Sequence, residues 1–153
     1  MKYLFLLAVL AISCKSAQTD DARTTDETTE QVTKINEEYP RLLERMVNGP
    51  IDSKQLVLLY EPYDLEDVYA LINQTRKPGL KLPQVNWETE NVLLAALGTQ
   101  NSGGHSIELK SDKKGHYTAI HTPPQGAATM ALTAPLYLWA VPKGSQVDWS
   151  LVN

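Results

Sequence analysis

Apolar residues along this chain occur in compact runs that are separated by polar turns. The runs at 55–60 and 92–97 are bounded by turn residues, and each predicts a buried strand, the second ending at Gly98. The run at 134–142 is apolar at successive positions, which is typical of a strand covered on both faces. These three runs therefore predict buried strands of a β-sheet.

Alternating apolar and polar residues predict a β-hairpin in the second half of the chain. Its strands are 105–111 and 116–122, joined by a polar turn at 112–115. One face of the first strand carries His105, Ile107 and Leu109. After an interruption at 123–126, the tail at 148–153 predicts an edge strand.

The clearest helical pattern covers about residues 64–74. Asp64 is placed to cap the free amides, and Asp67 adds an acidic group to the first turn. Lys77-Pro78-Gly79 ends the segment. Apolar residues at helical spacing define one buried face, formed by Leu65, Val68, Tyr69 and Ile72.

The segment 32–47 fits two structures. Its apolar residues suit one face of a helix that has Pro40 in its first turn and ends at 48–50, and we favour this helix. A short strand beginning near Tyr39 is the alternative. The apolar residues concerned are Leu42, Leu43, Met46 and Val47.

One main helix and several short strands predict an α+β domain, built as a mostly antiparallel β-sandwich or an open barrel. A length of 153 residues allows one such domain. The formal net charge of −4 argues against a general nucleic-acid binder, which needs a basic surface. The single cysteine excludes an internal disulfide framework and a cysteine-rich zinc site.

The first residues resemble a bacterial lipoprotein signal peptide. Lys2 supplies the positive charge, the apolar run at 4–12 is too short to span a bilayer, and AISC at 11–14 places small residues before Cys14. The resemblance implies cleavage after residue 13 and attachment of lipid, with palmitate as a typical acyl chain, to Cys14. An ordinary secretory signal is the alternative.

Residues 14–30 are dominated by Thr, Asp and Glu and predict a flexible tether between the lipid and a single domain at 31–153. We therefore expect a protein of the cell envelope, anchored to the outer membrane. The sequence leaves the periplasmic side and the cell surface open.

The most unusual local sequence is the glycine-rich loop 98–106, GTQNSGGHS. Its glycines permit a tight, exposed turn, and we expect it to contribute to a contact surface. It lacks the Lys and the following helix of a phosphate-binding loop. Ser102 does not stand in the GxSxG pattern of a nucleophile elbow, so we expect no catalytic serine.

The histidines and carboxylates predict neither a metal site nor an active site. His116 and His121 are five residues apart on one strand and point to opposite faces. His105 and His121 can meet across the hairpin, but neither a carboxylate nor a third histidine is placed to join them. Trp87 and Trp139 are expected to pack in or beside the core. We therefore predict a protein that is no enzyme and has no cofactor.

Two segments resemble the PrcB-like family of protease-complex stability subunits. They are LPQVNWETENVLLAALGTQNSGGHSIEL at 82–109 and ALTAPLYLWAVPKG at 131–144. The family pattern has a Thr-Gly-Gly-Tyr-Ser-Ile loop after an apolar strand, followed by a late Pro-Tyr strand. This chain has Ser102 where the family has Thr and His105 where the family has Tyr. It also has Leu136 between the Pro and the Tyr of the late strand.

The PrcB-like resemblance implies a non-catalytic domain that binds or stabilises another envelope or secreted protein, with a protease among the candidates. A chagasin-like cysteine-protease inhibitor, whose Asn-Pro-Thr-Thr-Gly loop is distantly similar, and a small hydrolase are the alternatives. The expected binding loop comprises Thr99, Gln100, Asn101, Ser102, Gly103, Gly104 and His105.

Overall fold

The computed structural model describes residues 39–112, 114–126 and 129–151. The predicted signal peptide at 1–13, the tether at 14–30 with Cys14, and the first residues of the predicted domain lie outside the described residues.

The described chain forms two sheets and one helix, and the sheets do not close into a barrel. The predicted α+β fold is therefore confirmed in its sandwich form. Sheet 1 is antiparallel with the strand order β1-β6-β3-β2, and sheet 2 has the order β4-β5-β7. The elements are β1 Arg41–Met46, β2 Lys54–Leu59, α1 Pro62–Asn73, β3 Glu90–Leu97, β4 Ser106–Ser111, β5 His116–Thr122, β6 Leu136–Pro142 and β7 Gln146–Leu151.

Sheet 1 lies between α1 and sheet 2, so its central strands β3 and β6 are buried on both faces. All eight residues of β3 are buried, as are the first six of β6, which explains why neither strand alternates in polarity. One face forms the helix-side core, which includes Leu65, Ile72, Val92, Leu94 and Leu138. The other face forms the inter-sheet core, which includes Leu93, Ile107, Tyr117, Ala119 and Trp139.

The helix favoured for 32–47 is wrong in its described part, and the alternative of a short strand is confirmed there as β1, which begins at Arg41. Leu42 pairs with Trp139 and Glu44 with Leu138 on β6, and a bulge lies between Leu42 and Glu44. The bulge lets Leu43 pack against the helix-side core. Apolar spacing that fits a helix therefore also suits a bulged edge strand.

Helix α1 begins two residues before the predicted start, at Pro62 with Glu61 as the N-cap. Asp64 is the third helical residue rather than the cap. Its carboxylate accepts hydrogen bonds from the backbone N–H groups of Tyr60 at 3.1 Å and Glu61 at 3.3 Å. The predicted buried face is confirmed, since its four apolar residues are all buried.

The predicted strand at 55–60 is present as β2, but it is an edge strand and only its last residue, Leu59, is buried. The predicted hairpin is confirmed as β4 and β5, which pair antiparallel. The predicted C-terminal edge strand is confirmed as β7, which starts earlier, at Gln146, and pairs with β5 in parallel.

A buried carboxylate joins the beginnings of β1 and β3. Glu90 accepts hydrogen bonds from the Tyr39 hydroxyl at 2.7 Å, the Asn86 backbone N–H at 2.8 Å and the Arg41 guanidinium at 3.0 Å. Burial alone would raise the pKa of Glu90, but these three donors and the charge of Arg41 outweigh it and lower the pKa. Glu90 is therefore a charged structural group of the fold.

Candidate functional site

The glycine-rich loop carries the chain from the end of β3 in sheet 1 to the start of β4 in sheet 2. Gly98 turns it out of β3 with φ +70°, and a Cβ there would lie 2.6 Å from the carbonyl oxygen of Asp52. The Thr99 N–H donates to that same oxygen at 3.1 Å. Only glycine suits this position without displacing the backbone before β2.

Residues 129–133 lie along the 99–105 loop and hold its backbone. Gln100 and Thr133 exchange two backbone hydrogen bonds of 2.7 and 3.0 Å. The Gly103 N–H donates to the Thr129 carbonyl oxygen at 3.0 Å, and the Thr133 hydroxyl donates to the Ser102 carbonyl oxygen at 2.9 Å. Much of the loop's backbone is therefore paired within the domain.

The exposed loop expected from the sequence is only partly exposed. Thr99, Asn101 and Gly104 are exposed, Gln100, Ser102 and His105 are half-buried, and Gly103 is buried. The neighbouring segment 129–133 adds two large exposed apolar side chains, Met130 and Leu132. The sequence reasoning missed both, although ATMAL is an apolar stretch that ends before the β6 run.

Ser102, His105 and His121 form a hydrogen-bonded chain. Ser102 Oγ lies 3.0 Å from His105 Nε2, and His105 Nδ1 lies 2.9 Å from His121 Nε2. The two imidazole rings meet edge to edge through this bond, with their centres 5.2 Å apart and their planes inclined by 28°. The predicted meeting of His105 and His121 is confirmed, and Ser102, for which no catalytic role is expected from the sequence, contacts the other ring nitrogen of His105.

His121 lies at the end of the inter-sheet space, paired in register with the buried Ile107 of β4. Burial lowers the pKa of His121, and the neighbouring His105 and Lys54 lower it further. A neutral His121 ring keeps a lone pair on one nitrogen, so its Nε2 can accept a hydrogen bond from His105 Nδ1–H.

The third histidine, His116, takes no part in this row of hydrogen bonds, as its position on the opposite face of β5 predicts. His116 Nε2 lies 2.9 Å from a carboxylate oxygen of Asp148 on β7. Within the described ranges, no group of three or more His, Cys, Asp or Glu side chains can hold a metal ion.

Trp87 and Trp139, two of the three tryptophans, pack as predicted. Trp139 stacks on Tyr137 at 5.2 Å between ring centres in the inter-sheet core, while Trp87 packs against the helix-side core. Both rings of the stacked pair line an open groove of about 370 Å³ between the edge strands β1 and β4.

Comparisons with protein-family models, with curated proteins and with solved structures give no match for this chain. In the part of the chain that the structure describes, no helix has the length and apolar character needed to cross a membrane.

Proposed function

We propose that this chain is a lipoprotein of the bacterial cell envelope that binds and stabilises another envelope or secreted protein, such as a protease. Its lipid is attached to Cys14 and holds it at the outer membrane. The contact surface consists of the 99–105 loop and the 129–133 segment beside it. The PrcB-like resemblance and the lipoprotein-like N-terminus support the proposal.

The observation that carries this proposal is the exposure of two large apolar side chains beside the loop. Met130 is 101% exposed and Leu132 is 71% exposed. Removing an apolar side chain of this size from water is favourable by roughly 1.5–3 kcal/mol, and this gain offsets part of the entropic cost of association. Contiguous exposed apolar patches with a polar rim mark contact sites on many proteins.

The backbone bonds between Gln100 and Thr133 and between Gly103 and Thr129 also favour binding at this surface. They hold the loop and the apolar segment in one arrangement before a partner arrives. Less conformational entropy is then lost on association, so a modest surface can bind usefully.

The binding surface is tested by photo-crosslinking in the envelope, with the reactive residue placed at the exposed Asn101. We expect a specific partner protein that is lost in Met130→Ser/Leu132→Ser. Tyr63→Ser is the matched control, since Tyr63 on α1 is 73% exposed. Recovery of the same crosslinked proteins from the double variant would overturn this assignment. So would their recovery with the reactive residue placed at Glu66 on α1.

The lipid anchor has its own test. We expect labelled palmitate to enter the wild-type chain and the Ser13→Ala variant, which keeps a small residue before the cysteine. Cys14→Ser should take up no label and leave the membrane fraction. Label retained by Cys14→Ser would remove the anchor from the proposal, and stoichiometric inhibition of papain by the domain would favour the chagasin-like alternative.

A further inference from the structure

The chain of Ser102, His105 and His121 has the order of groups that activates a serine hydroxyl. A nucleophile contacts a base, and the base is oriented by a third group. We propose that Ser102 is a nucleophile toward carboxylic esters, with His105 as its general base and His121 as a positioning residue. This activity goes beyond the proposed binding function and departs from the expectation that the chain is no enzyme.

The hydrogen bonds fit one set of tautomers that suits this role. With His121 neutral and protonated on Nδ1, its Nε2 accepts from His105 Nδ1–H. His105 Nε2 then carries a lone pair directed at Ser102 Oγ, 3.0 Å away. In this arrangement the Ser102 hydroxyl donates to the nitrogen that must take its proton.

Both reacting groups are held in place and can be reached from solvent. The Ser102 carbonyl oxygen is bound by the Thr133 hydroxyl, and the next residue, Gly103, is bound through its N–H to Thr129. The hydrogen bond to His121 restricts the orientation of the His105 ring. Ser102 and His105 are both half-buried, so neither residue is closed off from solvent.

In the reaction, Ser102 Oγ attacks the ester carbonyl carbon and its proton moves to His105 Nε2. The Oγ–carbon bond forms, the bond from that carbon to the alcohol oxygen breaks, and His105 returns the proton to the departing oxygen. Water then attacks the acyl-serine, with His105 again taking and returning a proton. The net change is hydrolysis of the ester to an acid and an alcohol.

The Gly103 amide limits the expected rate. In many serine hydrolases, the N–H of the residue after the nucleophile stabilises the developing oxyanion. Here the Gly103 N–H is already bonded to the Thr129 carbonyl oxygen. We therefore expect acylation by reactive esters and slow turnover, and stoichiometric labelling of Ser102 is the decisive measurement.

The test treats the full lipidated chain in detergent with a fluorophosphonate probe and, separately, with p-nitrophenyl acetate. Labelled residues are identified by peptide mass spectrometry. We expect one label per chain on Ser102, none in Ser102→Ala, and a labelling rate about 100-fold lower in His105→Ala. Ser106→Ala and His116→Ala are matched controls from the same hairpin and should label as the wild type does.

His121 is tested by two replacements of similar size. His121→Gln keeps an oxygen that can accept from His105 Nδ1–H and should retain most of the labelling rate. His121→Leu removes the acceptor and should label at least about tenfold more slowly, with its folding checked by circular dichroism. Equal rates in these two variants would remove the positioning role. Failure of the wild-type chain to label at Ser102 would overturn the whole inference, whatever the variants do.

Discussion

The ammonium group of Lys54 lies 4.5 Å from the centre of the Trp149 ring, across the space between the edge strands β2 and β7. This contact joins the two sheets on the side opposite the groove between β1 and β4. The same ammonium group contributes to lowering the pKa of His121. Lys54 therefore connects the packing of the sandwich to the protonation of the histidine pair.

Replacing Lys54 with Met should raise the pKa of His121. Burial and the neighbouring His105 remain, so the pKa should move toward its ordinary value without reaching it. The measurement is an NMR titration of the imidazole C–H resonances. Lys110→Met, which removes an exposed lysine of β4, is the control and should leave the titration unchanged. A His121 midpoint that stays or falls in Lys54→Met would contradict the assigned electrostatic contact.

The lowered pKa of His121 also predicts lower stability in acid. The unfolded chain binds this proton at a higher pH than the folded chain does. The free energy of unfolding should therefore fall as the pH drops below the ordinary histidine range of about 6.5, down to the folded pKa. In His121→Gln this contribution is absent, so denaturant titrations at pH 7 and pH 5 should differ less than in the wild type. An equal difference in both proteins would remove His121 as the cause.

Glu90→Gln should destabilise the domain by about 1–3 kcal/mol at neutral pH. The variant loses the charge that faces Arg41 and one acceptor of the bonds from Tyr39 and Asn86. Because the folded pKa of Glu90 is lowered, the wild-type advantage is present above the ordinary carboxyl range and is lost as the pH falls through the folded pKa.

Urea unfolding of Glu90→Gln at several pH values from 7 down to 3 measures this difference. Glu88→Gln, an exposed carboxylate on the same turn, is the control and should change stability little. If the stability difference between the wild type and Glu90→Gln grew as the pH fell, its sign would contradict a lowered pKa of Glu90.

Much of the fold was predictable because it depends on local patterns. The runs that became β3 and β6 and the alternating residues of the hairpin correspond to strands that the structure contains. Strand β1 was not predictable in this way, since the spacing of Leu42, Leu43 and Met46 fits both a helix and a bulged strand. The deciding interaction is pairing with β6, about 95 residues later in the chain.

The candidate site was predictable in position but not in composition. The glycines located the loop, and the hairpin brought His105 opposite His121. The absence of a GxSxG motif argues against a catalytic role for Ser102. The signal that would have found it is the three-residue spacing from Ser102 to His105 within a turn, which places the two side chains 3.0 Å apart.

Gly98→Ala should destabilise the domain more than Gly144→Ala does. Both glycines have positive φ, +70° and +80°, so alanine is strained by about 1–2 kcal/mol at either position. At Gly98 the new Cβ also meets the Asp52 backbone at 2.6 Å, whereas nothing lies within 4 Å at Gly144. In thermal or urea unfolding, Gly98→Ala should lose about 1 kcal/mol or more of unfolding free energy beyond the loss in Gly144→Ala. Equal losses would show that the backbone before β2 moves freely.

Tyr117→Phe should leave the stability unchanged or raise it by about 1 kcal/mol. The Tyr117 side chain is fully buried in the inter-sheet core, and its hydroxyl has no hydrogen-bond partner among the described residues. Burial also raises the pKa of this hydroxyl, as expected for a group kept from water. Phenylalanine keeps the ring packing and removes the unpaired polar group.

Tyr39→Phe makes the matched comparison for Tyr117→Phe, because the Tyr39 hydroxyl donates to the Glu90 carboxylate at 2.7 Å. Removing this charge-assisted bond should cost about 1.5–3 kcal/mol. The two variants delete the same atom, so urea unfolding of both compares a paired with an unpaired hydroxyl directly. A loss in Tyr117→Phe as large as in Tyr39→Phe would mean that the Tyr117 hydroxyl is bonded in solution, and the inter-sheet core would then contain a polar contact at its centre.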